Sequence, residues 1–180
     1  MSLSRLQLLY KNEIIVKLKE NLKIKFPPRL EKIVLNTGLG RAVSNKKYLE
    51  IVMENMTAVS GQKAIYTLAR QSNAGFSIRT GWPIGCKVTL RKHRMYEFLD
   101  RYLNIVLPRI PDFQGLNSKS FDGFGNYTMG ISDFAVFPEC DISQEKLGLD
   151  ITFVTTAQDD KAAYSLLSLF NFPFIQEKQG

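Results

Sequence analysis

Histidine, cysteine and tryptophan are nearly missing from this 180-residue chain, which has one His, two Cys and one Trp. Each scarcity excludes something. The lone histidine, His93, stands between Lys92 and Arg94, two cations that oppose both protonation and metal binding. No second His or Cys lies at ligand spacing, so no zinc site is expected. Cys86 and Cys140 are too few for a disulfide framework and suit a reducing compartment. Apolar runs are short, Ile105-Val106-Leu107 being typical. None approaches the roughly 18 residues of a membrane span. Residues 1–20 hold Lys11, Glu13, Lys17, Lys19 and Glu20 and do not read as a secretory signal. Gly38-Leu39-Gly40 lacks the third glycine of a dinucleotide loop, since Val43 takes its place, and no Walker-type sequence occurs. The glycine amides either hold one phosphate or make a plain turn. No nucleophile stands beside a base. The expectation is a protein that is not an enzyme, with no metal and no cofactor.

Acids are also missing, but only locally. Between Glu54 and Glu97 there is none, while Lys63, Arg70, Arg79, Lys87, Arg91, Lys92 and Arg94 fall inside the interval. Residues 1–94 carry 18 Lys/Arg against 5 Asp/Glu, and residues 95–180 carry 6 against 12. The net charge of +7 hides this split. An acid-free basic stretch suits a polyanion, because each interspersed carboxylate would repel phosphate. A solvated basic surface is the plain alternative.

What is present reads as one α+β domain over 1–180, an antiparallel sheet with helices packed on one face. The basic amino-terminal half spans about 1–94 and the acidic half about 95–180. Leu3, Leu6, Tyr10, Ile14, Leu18 and Leu22 place one stripe on a helix that Pro27-Pro28 follows. Arg29–Asn36 predicts a strand, and Thr37–Gly40 a break. A helix capped by Ser44 or Asn45 runs to about Ser60, with Gly61 at its left-handed end. Ala64–Arg70 and Cys86–Leu90 predict strands around a long loop, Gln71–Gly85. Met95, Phe98, Leu99, Tyr102, Leu103 and Val106 mark another helix, ended by Pro108. Asn117–Gly130 predicts a hairpin or irregular pair, Leu149–Thr156 a strand, and Asp159 or Asp160 the start of a last helix.

The acid-free segment also carries recognisable sequence. Ser60-Gly-Gln-Lys63, Ala69-Arg-Gln-Ser72, Ala74-Gly-Phe-Ser-Ile-Arg79 and Gly81-Trp-Pro-Ile-Gly-Cys-Lys-Val-Thr-Leu-Arg91 occur in order. Leu35-Asn-Thr-Gly-Leu-Gly40 precedes them. Pro108-Arg-Ile-Pro-Asp-Phe113, Ser118-Lys-Ser-Phe-Asp-Gly-Phe-Gly-Asn-Tyr127 and Phe137-Pro-Glu139 follow. Together, from about Leu9 to Phe174, the chain resembles bacterial-type large-subunit ribosomal protein five, the 5S-rRNA-binding family.

The resemblance implies a structural part of the large ribosomal subunit. It would join 5S rRNA to the central protuberance, bring a loop near P-site tRNA, and bridge to small-subunit head protein thirteen. Large-subunit rRNA and neighbouring large-subunit proteins would be further partners, with no membrane. The place would be the ribosome, cytoplasmic or organellar. On the same resemblance, Asn36, Gln62 and Thr89 match polar RNA contacts, where amides and a hydroxyl read 2′-hydroxyls and base edges. Cap or turn duty is their other reading. Lys63, Arg70, Lys87 and Arg91 would meet phosphates. The tRNA-proximal loop would use Ser72, Asn73, Gly75, Phe76, Arg79 and Gly81, with Phe76 or Trp82 either stacking on a nucleotide or pinning the loop. Arg109, Asp112, Asp133, Glu139 and Asp141, with Glu145 beside them, would serve the bridge on the charge split together with the implied role, and a solvated acidic face is the other reading. Leu68, Gln71, Ser77, Pro111, Gln114 and Phe124 stand where the family more often carries a cation, and Lys92 stands where it carries glycine.

Overall fold

The computed structural model describes residues 4–39, 45–140 and 147–175. In chain order the elements are α1 (Arg5–Leu9), a π turn (Tyr10–Ile14), α2 (Ile15–Leu22), β1 (Leu30–Gly38), α3 (Lys46–Ser60), β2 (Ile65–Leu68) and β3 (Pro83–Leu90). Then follow α4 (Lys92–Arg101), a second π turn (Tyr102–Val106), α5 (Leu107–Arg109), β4 (Tyr127–Ile131), a 3-10 turn (Phe134–Val136), β5 (Leu149–Thr155) and α6 (Asp160–Leu169). The five strands make an antiparallel sheet in the order β2-β3-β1-β5-β4, the α+β class expected. Two compact units share the chain. One holds Met1–Ile33, Arg91–Met129 and Thr152–Gly180, and the other Val34–Leu90 and Gly130–Ile151.

The first unit is built on apolar stripes and aromatic rings. Leu6, Tyr10, Ile14 and Leu18 recur every four residues and are all buried. Tyr10 stacks on Phe170 with ring centroids 6.0 Å apart. Tyr102 meets Phe153 at 5.6 Å, and Phe153 meets Phe172 edge-on at 5.1 Å. The Tyr102 hydroxyl donates to the Met129 sulfur, and burial followed by the nearby Tyr127 pushes its pKa far up. The helix ends one residue past Pro108, at Arg109, with the proline inside its last turn. A proline has no N–H to donate to the preceding turn, and here a π turn lies just before it, closed by the Leu107 N–H donating to the Tyr102 carbonyl. Asp160 accepts backbone N–H groups from Gly123 at 3.1 Å and Gly125 at 2.9 Å, while Asp159 caps α6 through Ala162.

In the second unit the Asn45 side chain caps α3 by accepting the Tyr48 N–H. Gly61, at φ +64°, closes the helix as its position predicted. Ser44 and Gly40 lie outside the described residues. Val52, Met56 and Val59 are buried where α3 packs on β3. The predicted break at Thr37 is absent: β1 runs through Gly38. Thr37 is buried because its hydroxyl donates to the Gly148 carbonyl at 2.7 Å, and the Leu39 N–H continues the ladder to Ile84. Strand β3 correspondingly begins at Pro83 rather than Cys86, a first-residue position that proline tolerates.

Gly85 is the tightest point of this ladder. A Cβ there would stand 2.5 Å from the Thr37 carbonyl oxygen and 2.7 Å from Thr67 Oγ1. Gly130 would meet only an ordinary contact, 3.6 Å from Asp150. Gly85→Ala should therefore lower stability by about 2 kcal/mol or more, while Gly130→Ala changes it by less than about 1. Urea midpoints at constant slope read the difference. Equal midpoints for the two variants would contradict this packing.

Candidate nucleic-acid interface

Strand alternation decides which side chains of the second unit reach solvent. On β3, Cys86, Val88 and Leu90 are buried toward α3, leaving Lys87 exposed and Thr89 half-buried on the opposite face. On β1, Leu35 and Thr37 turn inward and Asn36 is exposed. The pairing Ile65↔Lys87 and Thr67↔Gly85 puts Ile65 and Thr67 on the outer face with Lys87. Gln62, at the entrance to β2, is half-buried, and its Nε2 donates to the Thr89 carbonyl at 3.1 Å. Its backbone N–H is accepted by Ser60 Oγ at 3.2 Å. An amide 27 residues away in sequence is thus tied to the strand that carries Thr89 and Lys87.

Four of the seven sequence-predicted RNA residues, Asn36, Gln62, Lys87 and Thr89, therefore belong to the outer side of β1 and β3 or its rim. The other three sit elsewhere. Lys63 is exposed but lines a groove of about 500 Å³ with Glu50, Met53, Glu54 and Thr57, on the α3 side. Arg70 is exposed just past β2, at the base of the loop. Arg91 belongs to the first unit and is ion-paired with Glu31 at 3.5 Å. Sequence reasoning missed Ile65, Thr67 and Leu68 as surface residues of this face. The parity of β2 against Lys87 would have placed Ile65 and Thr67, whereas Leu68 reaches the face only through the register shift after Thr67.

The long loop is shorter and more ordered than its glycines suggested. Asn73 and Ile78 exchange backbone hydrogen bonds at 2.8 and 3.0 Å, making a small hairpin tip. Ser72 Oγ accepts the Thr80 N–H at 3.0 Å, and Asn73 Oδ1 accepts the Phe76 N–H. Gly81, at φ +86°, donates its N–H to Ala69. Gly75 and Ser77 form the turn, Ser77 at φ +53°. Phe76 is 77% exposed at the tip. Trp82 holds the base: its carbonyl accepts the Ala69 N–H at 2.8 Å, and the Arg79 guanidinium lies 6.0 Å from its ring centroid. Both rings are exposed, Trp82 at the base and Phe76 at the tip.

Comparison with known proteins decides the family. A model described as "Ribosomal protein L5" matches residues 27–79, and a second, describing the C-terminus of the same ribosomal protein family, matches 83–174. The chain belongs to the ribosomal protein uL5 family. It is 54% identical over 177 residues to the large ribosomal subunit protein uL5 of Nitrosococcus oceani, covering 96% of this chain and 98% of that relative. It is 51% identical over 177 residues to the uL5 of Dichelobacter nodosus, covering 96% and 99%. As a uL5 family member it is a structural constituent of the large ribosomal subunit, working in the ribosome with ribosomal RNA, and not an enzyme. Among the described residues no helix is long and apolar enough to cross a membrane.

The bridge candidates of this uL5 chain, the base Arg109 and the acids, divide between the units. Arg109 and Asp112 are exposed in the first, Asp112 at φ +54°. Asp133 and Glu139 belong to the second, where Asp133 Oδ1 accepts the Ala135 N–H at 2.9 Å. Asp141 and Glu145 lie outside the described residues.

Both cysteines have raised pKa values, Cys86 fully buried and Cys140 half-buried. Burial pushes the Cys86 thiol up to about 11. Burial, then Glu139 and Asp133, push Cys140 up to about 12. At pH 8 neither thiol of the folded protein should react with Ellman's reagent at the rate of the unfolded chain. Because the folded pKa of Cys86 is raised, its contribution to stability is intact below the unfolded value near 9 and is lost as pH climbs toward 11. Cys86→Ala should flatten that part of the alkaline stability curve. An unchanged slope in the variant, or labelling of the native protein as fast as that of the unfolded chain, would contradict the raised thiol pKa values.

Proposed function

We propose that this chain binds 5S rRNA through the outer face of β1 and β3 and so attaches it to the central protuberance of the large subunit. One observation carries the reading: the solvent-facing side of this sheet half presents Asn36, Lys87 and Thr89, with Gln62 tied to its rim and no acid on β1 from Val34 onward, on β2 or on β3. Lys87 supplies charge for phosphate, and the amides and hydroxyl supply donors and acceptors for 2′-hydroxyls and base edges. Arg70 extends the charge toward the loop. Lys63 and Arg91 act from the periphery, since each already faces a carboxylate-bearing neighbour.

Two further contacts belong to the same reading. The hairpin of residues 72–81 approaches P-site tRNA, with Arg79 toward the backbone and Phe76 at the tip. Its support is a loop held by its own hydrogen bonds, which presents these side chains at low ordering cost. The acidic segment with Asp133 and Glu139, together with Arg109 and Asp112, meets small-subunit head protein thirteen. Its support is the charge split of the chain, which leaves the carboxy-terminal half a poor surface for RNA and a suitable one for a basic protein.

Filter binding to 5S rRNA and to an unrelated RNA of equal length, at two salt concentrations, tests the central contact. The wild-type chain prefers 5S rRNA at both. Replacing Asn36, Gln62 and Thr89 together by alanine should cut that preference by about tenfold or more. Lys87→Ala should weaken both RNAs alike and lower the salt slope by about one. Equal affinity of the wild type for the two RNAs would overturn the reading.

A further inference from the structure

The first unit carries a feature that the sheet face does not use. After α2 the chain turns at Lys23, whose φ is +51°, and bends again at Lys25 and Phe26 before Pro27-Pro28. Here Phe26 is 82% exposed, the most exposed large hydrophobic among the described residues. It stands at a groove of about 750 Å³. The walls are Leu22, Ile24 and Pro27 on one side and Thr156, Ala157 and Gln158 on the other. The floor is rigid. Arg29 and Thr156 exchange hydrogen bonds at 3.0 and 2.9 Å, and the Tyr10 hydroxyl donates to the Pro28 carbonyl at 3.0 Å.

Charge selects the occupant. Residues 19–29 contain Lys19, Lys23, Lys25 and Arg29 against the single acid Glu20, and all five are exposed. The Lys25 ammonium lies 5.9 Å from the Phe26 ring centroid, so one cation sits directly at the aromatic face. The carboxylate in the groove, Asp159, is engaged in capping α6. A bare aromatic ring with cations around it and a groove behind it matches a nucleotide: the base stacks on the ring and the flanking phosphates meet the ammonium groups. Thr156 and Gln158 offer polar atoms to the edge of an inserted base. A basic peptide would be repelled by the four cations, and an apolar helix would leave them unmatched.

We propose that Phe26, Lys25 and Arg29 form a second RNA-binding site, which takes an unstacked nucleotide from a single-stranded or bulged RNA segment. It belongs to the first unit and works independently of the outer face of β1 and β3. The stack on Phe26 supplies most of the binding, and Lys25 and Arg29 supply its salt dependence. The base is held without sequence preference, because every base has a π face.

The full chain tests this, using its single tryptophan. Trp82→Phe combined with Phe26→Trp moves the only indole to the groove. Titration with a uridylate decamer should quench that fluorescence, and quenching should weaken as salt rises. A decamer of abasic sugar-phosphate should bind more weakly, by about tenfold, and quench little. In the natural chain, Phe26→Ala should lower crosslinking of a 4-thiouridine decamer to residues 22–29 about tenfold, whereas Phe26→Tyr retains it. Lys25→Ala should reduce the salt slope of quenching by about 0.7, the value for one phosphate on a single strand. Because Phe26 is almost wholly exposed, its replacement leaves folding and the preference for 5S rRNA intact. An unquenched indole, or equal quenching by the abasic strand, would overturn the proposal even where the sheet variants behave as expected. Conversely, quenching with no preference for 5S rRNA would leave this site standing and remove the sheet-face reading.

Discussion

A strand has two faces, and in the second unit one of them is closed. Helix α3 packs on β3, so Cys86, Val88 and Leu90 are fixed inward and Lys87 and Thr89 are fixed outward. A one-residue slip would bury a lysine and expose a row of apolar side chains. The outward face is thus set by the core behind it, and its chemistry depends on hydrophobic packing that touches no ligand. Gly85 belongs to the same constraint, since only a residue without a Cβ lets β1 and β2 lie so close to β3 at that point.

The order of strands turns a charge split along the chain into one across the sheet. The compact units do not separate charge: the second holds 8 Lys/Arg and 7 Asp/Glu, and the first 16 and 10. Within the second unit, however, the basic stretch supplies β2 and β3 at one edge of the order β2-β3-β1-β5-β4. The acidic stretch supplies the strands on the other side of β1, with Asp150 on β5 and Asp133 beyond the edge strand β4.

Much of this is legible in residue order. The stripes of α1, α3 and α4, the cap at Asn45, the left-handed Gly61 and the start of α6 follow from periodicity and capping, which are local. Exposure of Asn36 and Lys87 follows from alternation. The failures share a cause, namely partners distant in sequence. Thr37 reads as the start of a turn because its glycine neighbours are local, while the Gly148 carbonyl that keeps it in the strand is 111 residues away. Gln62 reads as a helix-end residue, and its bond to Thr89 is invisible without the fold. Arg91 reads as available, but Glu31 holds it from 60 residues upstream. The two π turns leave the apolar spacing almost unchanged, so no pattern announces them. Phe26 is silent in the sequence because one exposed aromatic between a lysine and a pair of prolines has no periodic signature.

Chemical-shift mapping of the isotope-labelled chain with added 5S rRNA bears most directly on the outer face of β1 and β3. The side-chain amides of Asn36 and Gln62 and the backbone amides of Lys87 and Thr89 should shift together, while Val52 and Met56 beneath them, and Asp133 and Glu139 on the acidic segment, stay in place. Shifts concentrated at Asp133 and Glu139, with Asn36, Lys87 and Thr89 unmoved, would contradict the account.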